Sequence, residues 1–448
     1  MRLLRHDLFP TRRLPARQKG SVLVIVIWVI FGLISLTLYF ANSMTFELRA
    51  SDNRIAGIEA EQAIEGARRY VSCVLSNLNQ AGAVPDPQSF QCAAVAVGNA
   101  KFWLIGRTNS QNTTPTTVSF GLIDEASKLN LNSSFVGTNL LLLRPTMTLD
   151  LAYNIMAWRS TNTSNTNGGM ESDSYSGLQP PYLCKNAPFE TVDELRMVYG
   201  VDIDLLYGED ANLNGFLDPN ENDGDVTPPT DNQDGHLDPG LFEYATVYTH
   251  VPILQTNGQP RIVTTNGTSL ASLVKSNFNL TLPVPTTGYP SPLQFYIAAS
   301  QRGLSPAQFA HIEGSIRGTN LVGLINVNTA SLEVLECLPG MDYSKATQIA
   351  NYRQSNQTNP NNMNTLAWLT QIGLDTATLQ AIAPWVTGQT YQFTADVAAV
   401  GHNGRGYRRT RFVFDTSSGA PKILYRQDLS NLGWALGKQV RDQLLAVK

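Results

Sequence analysis

The residues best suited to chemistry are the oxygen donors of a twelve-residue segment, 210–221, which reads DANLNGFLDPNE. Side-chain oxygens stand at its first, third, fifth, ninth and twelfth positions, and glycine stands at its sixth. This is the spacing of an EF-hand calcium loop, whose seventh residue adds its carbonyl, because calcium takes about six to eight hard oxygen ligands. The alternative is a turn whose carboxylates hold no cation. The ligands that the spacing predicts are Asp210, Asn212, Asn214, Phe216, Asp218 and Glu221.

A second, incomplete copy of the pattern follows, with Gly235 at its sixth position. The two ends of this copy do not match the pattern, because Thr230 and Leu241 occupy the positions of the first and twelfth ligands. The flanking residues form proline-rich loops and not clear helix pairs, so calcium here would be structural and not a switch. A second calcium ion would take Asn232, Asp234 and Asp238, with Asp223, Asp225 or Glu243 closing the site from elsewhere.

These donors lie in the most acidic part of the chain. Residues 197–260 contain no Lys or Arg, and twelve Asp or Glu fall between Val201 and Tyr244. Such a run repels itself and stays disordered unless a cation compensates it. The chain of 448 residues nevertheless has a formal net charge of −4, because residues 1–20 carry six basic groups and one acid. This small total argues against a chain-wide basic surface for nucleic acid.

An uncharged, apolar stretch of 26 residues, 21–46, would anchor the acidic region to a membrane. A helix needs about 20 apolar residues to cross a bilayer, so the stretch predicts one transmembrane helix. A buried core helix is the alternative, whereas a secretory signal peptide is excluded by the length of the stretch. The basic residues before it predict a cytoplasmic N-terminus, with the bulk of the chain outside.

The apolar pattern continues beyond the membrane, from Leu48 through Ile55, Ile58 and Val71 to Leu78. Many of the steps are three, four or seven residues, which places these side chains on one helix face. We therefore expect one continuous helix, whose second half packs on a domain outside the membrane.

The junction between the basic segment and the apolar helix, Lys19-Gly20-Ser21, resembles the leader of type IV pilins and type II secretion pseudopilins. A prepilin peptidase cuts those leaders after the glycine, so the resemblance implies cleavage between Gly20 and Ser21 and an N-methylated mature chain. Pilins usually have Glu at the fifth mature position, where this chain has Ile25. Loss of that Glu resembles the K-type minor pseudopilin, since a subunit at a filament tip has no subunit above it to pair with.

Three internal segments carry the same resemblance: GLIDEASKLNLN at 121–132, FETVDEL at 189–195 and INVNTA at 325–330. They are similar to signatures of the K-type minor pseudopilin, a family that binds calcium in its helical domain. The resemblance implies a subunit that caps the tip of the periplasmic pseudopilus and supports protein export. The implied partners are the I- and J-type minor pseudopilins, the major pseudopilin, the inner-membrane assembly platform and prepilin peptidase.

Strand patterns at 101–132 and 391–427 enclose a middle region with helical patterns. The expected fold class is α+β: a long N-terminal transmembrane and amphipathic helix, a pilin-like head with an antiparallel sheet, and a large inserted α-helical domain with helix-hairpin-helix (SAM-like) modules. The expected divisions are a leader at 1–20, a transmembrane helix at 21–46, a helix extension and first part of the head at 47–132, an inserted domain at 133–390 with a calcium segment at 209–243 and a helix-hairpin-helix-like segment at 324–386, and C-terminal head strands at 391–448.

The segment 325–353 is also similar to the helix-hairpin-helix of competence DNA receptors, which makes a membrane-anchored DNA receptor the alternative function. Such a hairpin presents backbone N–H groups and basic side chains to phosphate. Here Asp342 stands in the hairpin, and only Lys345 and Arg353 are nearby. We therefore expect the module to contact protein and not nucleic acid. An anchored, calcium-dependent adhesin is a third functional class.

No catalytic set is evident. Zinc-protease, serine-hydrolase and nucleotide-binding motifs are absent from the sequence, and GHNGRG at 401–406 does not fit the dinucleotide fingerprint, so we expect no enzyme activity. Arg409 and Arg411 share one face of a predicted strand, and we expect that face to be solvated or to contact another subunit.

The four cysteines contain no CxxC pair, which argues against a zinc or thioredoxin-like site. In an oxidising periplasm, Cys73 and Cys92 are candidates for a disulfide between the long helix and the head. Cys184 and Cys337 are a second candidate pair, and buried free thiols are the alternative.

Overall fold

The computed structural model of the chain describes residues 20–78, 80–107, 117–143, 146–161, 168–356 and 365–446. The predicted leader, except for its last residue, lies outside this part of the chain. The chain divides into two units, Met1–Ile55 and Ala56–Lys448.

One helix, α1, begins at Gly20 and ends at Ser76, and its 57 residues confirm the predicted continuous helix. Residues 21–42 are all exposed, although most of them are apolar. Within the described residues, α1 is the one helix long and apolar enough to cross a membrane. It fits a single-pass membrane anchor.

Twelve strands occur in the described residues of the second unit. In chain order they are β1 (Val95–Val97), β2 (Ala100–Ile105), β3 (Ile123–Asp124), β4 (Leu129–Asn130), β5 (Ala245–Thr246), β6 (Ile262–Val263), β7 (Ile316–Arg317), β8 (Ile325–Asn326), β9 (Val386–Thr387), β10 (Gln392–Val400), β11 (Arg408–Asp415) and β12 (Lys422–Asp428).

Six of these strands form one antiparallel sheet, which we call the head sheet. Its order is β1-β2-β10-β11-β12, and β3 also pairs with β10. Three strands therefore come from before residue 125 and three from after residue 391, so the chain leaves the sheet after β3 and returns at β10. The predicted strands at 391–400 and 408–427 are confirmed, with the turn between β11 and β12 at the Ser-Ser-Gly sequence.

The C-terminal part of α1 packs on the head sheet. It buries Ala60, Ala63, Ala67 and Val71 in one apolar cluster with sheet residues such as Phe412. Alanine at three of these positions lets the helix approach the strands closely, while β10 is buried along its whole length. The apolar periodicity predicted this face only in part. Val71 is buried and Leu78 is partly buried, but Leu48, Ile55 and Ile58 are exposed, because small alanines face the strands instead.

The residues between β3 and β10 form a region with its own apolar core, which we call the insertion. It contains three two-stranded parallel ladders, β4-β5, β6-β7 and β8-β9, and most of the helices. Beyond α1, the helices of the described residues are α2 (Leu149–Arg159), α3 (Ser172–Ser176), α4 (Ile203–Tyr207), α5 (Leu241–Tyr244), α6 (Gly267–Phe278), α7 (Pro292–Ser300), α8 (Pro306–Glu313), α9 (Leu332–Glu336), α10 (Tyr343–Ser355), α11 (Thr376–Ile382) and α12 (Gly437–Ala446).

The helix starts follow the capping residues in the sequence. The side chains of Thr148, Ser291 and Ser305 cap the N-termini of α2, α7 and α8, respectively. Both α7 and α8 begin with proline. In the middle region, where the sequence has helical patterns, residues Val192–Met197 form a 3₁₀ helix and not an α-helix. This element ends at the C-cap residue Val198, whose backbone is extended, with φ −77° and ψ 131°.

A carboxyl group is buried inside the insertion, at the end of α8. The carboxylate of Glu313 accepts the backbone N–H of Leu366 at 3.3 Å on both of its oxygens. Burial raises the pKa of Glu313 to about 7, although the hydrogen bond from Thr365 opposes this. The folded state therefore binds a proton at Glu313 more tightly than the unfolded chain does.

We expect the variant Glu313→Gln to flatten the pH dependence of stability. In the wild-type protein, stability should fall as pH rises from the unfolded pKa of 4.5 through the folded pKa of about 7, because the unfolded state releases the proton first. The shift corresponds to roughly 3 kcal/mol. Urea midpoints measured across this pH range test the prediction, and an unchanged slope in the variant would contradict it.

Candidate calcium loop and its contacts with the head sheet

The predicted calcium loop follows α4 and ends in a short 3₁₀ turn, Pro219–Glu221. The buried carboxylate of Asp210 accepts hydrogen bonds from the backbone N–H groups of Asn214 and Gly215, each at 2.9 Å. Gly215 has φ +68°, a left-handed conformation that glycine adopts without strain. The backbone therefore curls around Asp210, as the calcium-loop spacing predicts.

Hydrogen bonds join the other predicted ligands into the same network. Glu221 accepts from two backbone N–H groups, one of them that of Asp218, both at 3.0 Å. Asp218 accepts from the side-chain amides of Asn212 and Asn214, at 2.7 and 2.9 Å. Phe216 donates its N–H to the side-chain oxygen of Asn214 at 2.8 Å. The structure thus brings together all six ligands predicted for the first site.

The three carboxyl groups of this loop are largely withdrawn from water. Burial, reinforced by the charge of Asp210, raises the pKa of Glu221 to about 8. Burial also raises the pKa of Asp210, against the attraction of Arg107, and the pKa of Asp218. A bound cation would favour the charged form of all three groups and would compensate their mutual repulsion.

The donor atoms fit a hard cation, because carboxylate and amide oxygens are the ligands that calcium prefers. In the ranges that the structure describes, however, no group of three or more His, Cys, Asp or Glu side chains is arranged to hold a metal ion. The amides of Asn212 and Asn214 point their nitrogen atoms at Asp218 instead. Calcium binding would require both amides to turn, so that oxygen faces the ion.

The second predicted site is assembled in part. Asn232 donates its side-chain amide to Asp238 at 3.3 Å, and its side-chain oxygen accepts the N–H of Asp234 at 2.8 Å. Glu209, which the sequence pattern missed, accepts the N–H groups of Asn232 and Asp238 at 3.3 and 3.0 Å. Its place immediately before Asp210 in the acidic run was the available signal.

The residues expected to close the second site make other contacts. Glu243, one of the three candidates to close the second site, forms a salt bridge with Arg107 at 2.8 Å. The two residues are 136 positions apart, so no local pattern shows the pairing. Asp223 accepts hydrogen bonds from Thr227, and Asp225 is exposed.

Two arginines of the head bind the backbone of the calcium loop. Arg107, just after β2, donates to the carbonyls of Leu213 and Asn214 at 3.2 and 3.4 Å. Arg409, on β11, donates to the carbonyls of Asn212 and Leu213, the second at 2.8 Å. The candidate calcium loop is therefore a direct contact between the insertion and the head sheet.

Arg409 does not lie on a solvated face, which corrects the expectation from its strand position, because its side chain is fully buried under the insertion. Its guanidinium pairs with Asp396 of β10 at 2.7 Å, and Arg411 reaches the same carboxylate at 3.1 Å. Burial raises the pKa of Asp396, but the two arginines more than offset this effect and lower it to about 2. Arg409 therefore links the two central strands, β10 and β11, through Asp396 and also contacts the backbone of the loop 210–221.

The segment 121–132 lies where the head sheet meets the insertion. The buried carboxylate of Asp124 accepts the side-chain amide of Asn326, which belongs to the INVNTA segment, at 2.8 Å. Glu125 accepts the hydroxyl of Thr394 on β10 at 2.6 Å. Two of the segments that resemble pseudopilin signatures therefore contact each other and tie the insertion to the sheet.

In the helix-hairpin-helix-like segment, the side chains of Lys345 and Arg353 contact groups of the protein itself. Lys345 donates to the carbonyl of Gly340 at 2.7 Å and lies 3.6 and 3.9 Å from the carboxylates of Asp342 and Asp375. Arg353 is buried and donates to two backbone carbonyls, and burial lowers its pKa to about 10. Because affinity for nucleic acid depends largely on cations that neutralise phosphate, this hairpin offers little of it.

The predicted bridge between Cys73 and Cys92 is not formed, and all four cysteines, which lie in described residues, are free thiols. Cys73 is exposed on α1, between the buried positions Val71 and Leu75, so it faces away from the sheet. Cys92 is buried, and its thiol contacts backbone carbonyls of its own loop.

We expect a thiol reagent to modify only Cys73 in the folded protein. Burial raises the pKa of Cys92 to about 11 and that of Cys337 to about 12, and it also raises the pKa of Cys184. These three thiols should react slowly, because the thiolate is the reactive form. Alkylation followed by peptide mass spectrometry tests this, with Cys73→Ser as the unlabelled control. If Cys73 and Cys92 react only after reduction, the disulfide exists and this prediction is wrong.

Comparisons with known proteins add three findings. Residues 138–207 match the family model of type II secretion system (T2SS) protein K, and residues 322–387 match that of the helix-hairpin-helix motif. Among solved structures, the chain is similar to a chain of "The Crystal Structure of the GspK-GspI-GspJ complex from enterotoxigenic Escherichia coli Type 2 Secretion System", with 11% identity and a TM-score of 0.39 over 86% of this chain and 98% of that one. No curated protein matches the chain significantly.

The family match covers residues 138–207 of the 448-residue chain and makes this segment similar to a component of the type II secretion system. The component whose family model this segment matches is protein K. This family is a structural part of a secretion system and not a known enzyme family.

Proposed function

We propose that this chain caps the tip of the type II secretion pseudopilus, in complex with the I- and J-type minor pseudopilins, and thereby supports export of folded proteins across the outer membrane. The observation that carries the proposal is the protein K match at 138–207. These residues belong to the insertion, which interrupts the head sheet between β3 and β10.

The size of the insertion supports a capping role. It occupies more than half of the unit Ala56–Lys448. A head enlarged in this way would obstruct the addition of a further subunit. Ile25 agrees with this role, because it lacks the carboxylate with which pilins pair to a neighbouring subunit.

The proposed location is the bacterial inner membrane, with a cytoplasmic N-terminus and a periplasmic C-terminal unit. Basic residues before the apolar stretch support this orientation. Prepilin peptidase would remove residues 1–20, and the major pseudopilin and the inner-membrane assembly platform would be further partners. Calcium in the loop 210–221 would be structural, because the loop contacts the head sheet through Arg107 and Arg409.

Co-expression tests the proposal. The full chain, with a C-terminal affinity tag, is produced together with prepilin peptidase and the I- and J-type minor pseudopilins of the same system. We expect purified chain whose N-terminus is Ser21, with both minor pseudopilins in equal amounts. Gly20→Val should keep Met1 as the N-terminus and serves as the unprocessed control. A wild-type chain that retains Met1, or that recovers neither partner, would contradict the proposal.

A further inference from the structure

The loop 401–406, which joins β10 to β11, contacts α1 at its first fully buried residue, Ala56. Its sequence, GHNGRG, contains three glycines but fits no nucleotide-binding pattern. The contacts with α1 give a different reason for these glycines.

Two of the glycines touch the helix backbone. A Cβ atom on Gly401 would lie 2.3 Å from the carbonyl oxygen of Ala56. A Cβ atom on Gly406 would lie 2.3 Å from the carbonyl carbon of Ala56 and 2.4 Å from the nitrogen of Gly57. Gly57 is itself close to the loop, because a Cβ atom there would lie 3.4 Å from the guanidinium of Arg408. Backbone therefore packs directly on backbone, with no flexible side chain that could move aside.

Polar contacts extend this interface along the next turn of α1. The carboxylate of Glu59 accepts the backbone N–H of His402 at 3.0 Å and lies 2.7 Å from Nδ1 of the same residue. Glu61 lies 3.4 Å from Nε of Arg408, at the start of β11. The hydrogen bonds from His402 lower the pKa of Glu59, so its carboxylate stays charged. Six consecutive helix residues, 56–61, thus span all of these contacts.

The loop also holds its own shape. The N–H of Gly401 donates to the carbonyl of Arg405 at 2.8 Å, and the N–H of Arg405 donates to that of His402 at 3.2 Å. Asn403 and Gly404 follow one another in the left-handed region, with φ +54° and +73°. A loop closed in this way presents a fixed surface to the helix.

We propose that residues 401–406, which join β10 to β11, form a collar that fixes α1 on the head sheet at Ala56 and Gly57. Rotation or sliding of the helix would force backbone atoms into contact, so the collar sets both the register and the rotation of α1. The same two strands hold Asp396 and Arg409, which contact the calcium loop. The collar rests on contacts within one unit and does not depend on the proposed secretion function.

Hydrogen exchange of the full chain in detergent micelles tests the collar. Gly401 has φ −74°, so Gly401→Ala introduces the steric clash without backbone strain. We expect amides of residues 56–64 to exchange about tenfold faster, because overpacking raises the population of the locally open state. Gly314→Ala is the matched control, since Gly314 has φ −67° and only one side-chain atom near its Cβ position, at 3.9 Å. It should leave exchange at 56–64 unchanged.

A second pair of variants separates close contact from backbone strain. Gly406 and Gly419 both have positive φ, +67° and +90°, but only Gly406 has neighbours at its Cβ position. Gly406→Ala should therefore speed exchange at 56–64, whereas Gly419→Ala should not. If the glycine variants of the collar do not fold, Glu59→Gln should still give roughly a threefold increase there, as loss of one charged hydrogen bond predicts. Unchanged exchange at 56–64 in the collar variants, or an equal increase throughout the head sheet, would overturn the proposal.

Discussion

Replacing Arg409 with Met is expected to lower the free energy of unfolding by about 3–5 kcal/mol, the usual effect of removing one partner of a buried ion pair. Asp396 would keep only Arg411, at 3.1 Å, and the carbonyls of Asn212 and Leu213 would lose a donor. This loss is a large part of a typical total stability of roughly 5–15 kcal/mol. Urea unfolding of the full chain, followed by tryptophan fluorescence, measures the change.

The neighbouring residue provides the control. Arg408 lies on the same strand, and its side chain is 42% exposed beside Glu61, which is 60% exposed. Arg408→Met should therefore cost less than about 1 kcal/mol. The double variant Asp396→Asn with Arg409→Met should be less destabilised than the sum of the two single variants, because the unpaired charge is gone. An Arg409→Met protein as stable as Arg408→Met would show that the buried pair does not stabilise the sheet.

Calcium is expected to raise the melting temperature, and a chelator is expected to lower it. The ion would compensate three partly or fully buried carboxylates in one loop, whose pKa values burial raises. A calcium concentration about 100 times the dissociation constant adds about 2.7 kcal/mol to the free energy of unfolding. This gain corresponds to a rise of roughly 5 °C in the melting temperature. Differential scanning fluorimetry in calcium and in chelator gives the comparison.

Single substitutions locate the calcium effect. Asp210→Ala should abolish the difference between calcium and chelator, because Asp210 lies at the centre of the loop network. Asp204→Ala, at an exposed acid of the same acidic run that is not a candidate ligand, should retain it. A wild-type protein with the same melting temperature in both solutions would mean that the loop closes by its amide hydrogen bonds alone.

The elements with regular patterns were predictable from sequence. The long apolar run and its helical spacing predicted α1, and alternating strands around a Ser-Ser-Gly turn predicted β11 and β12. The six residues predicted as calcium ligands lie in one hydrogen-bond network, because they fall within twelve consecutive residues, and calcium binding there stays a prediction. Local signals of this kind need no knowledge of distant contacts.

The errors share a cause, which is tertiary packing that no local sequence pattern shows. Arg409 was expected on a solvated face, but the insertion, which contributes Asn212 from 197 positions away, covers it. Cys73 and Cys92 were close enough in sequence for a bridge, but the helix turns Cys73 outward. In each case the local pattern was compatible with two environments, and tertiary packing selected the other one.

The position of this chain in an assembled pseudopilus distinguishes a tip subunit from an ordinary filament subunit. The full chain is labelled through its exposed Cys73, and labels are counted along single pseudopili prepared with all the pseudopilins of the system. A tip subunit predicts one label per filament, at one end. Labels distributed along the filament would contradict the capping function.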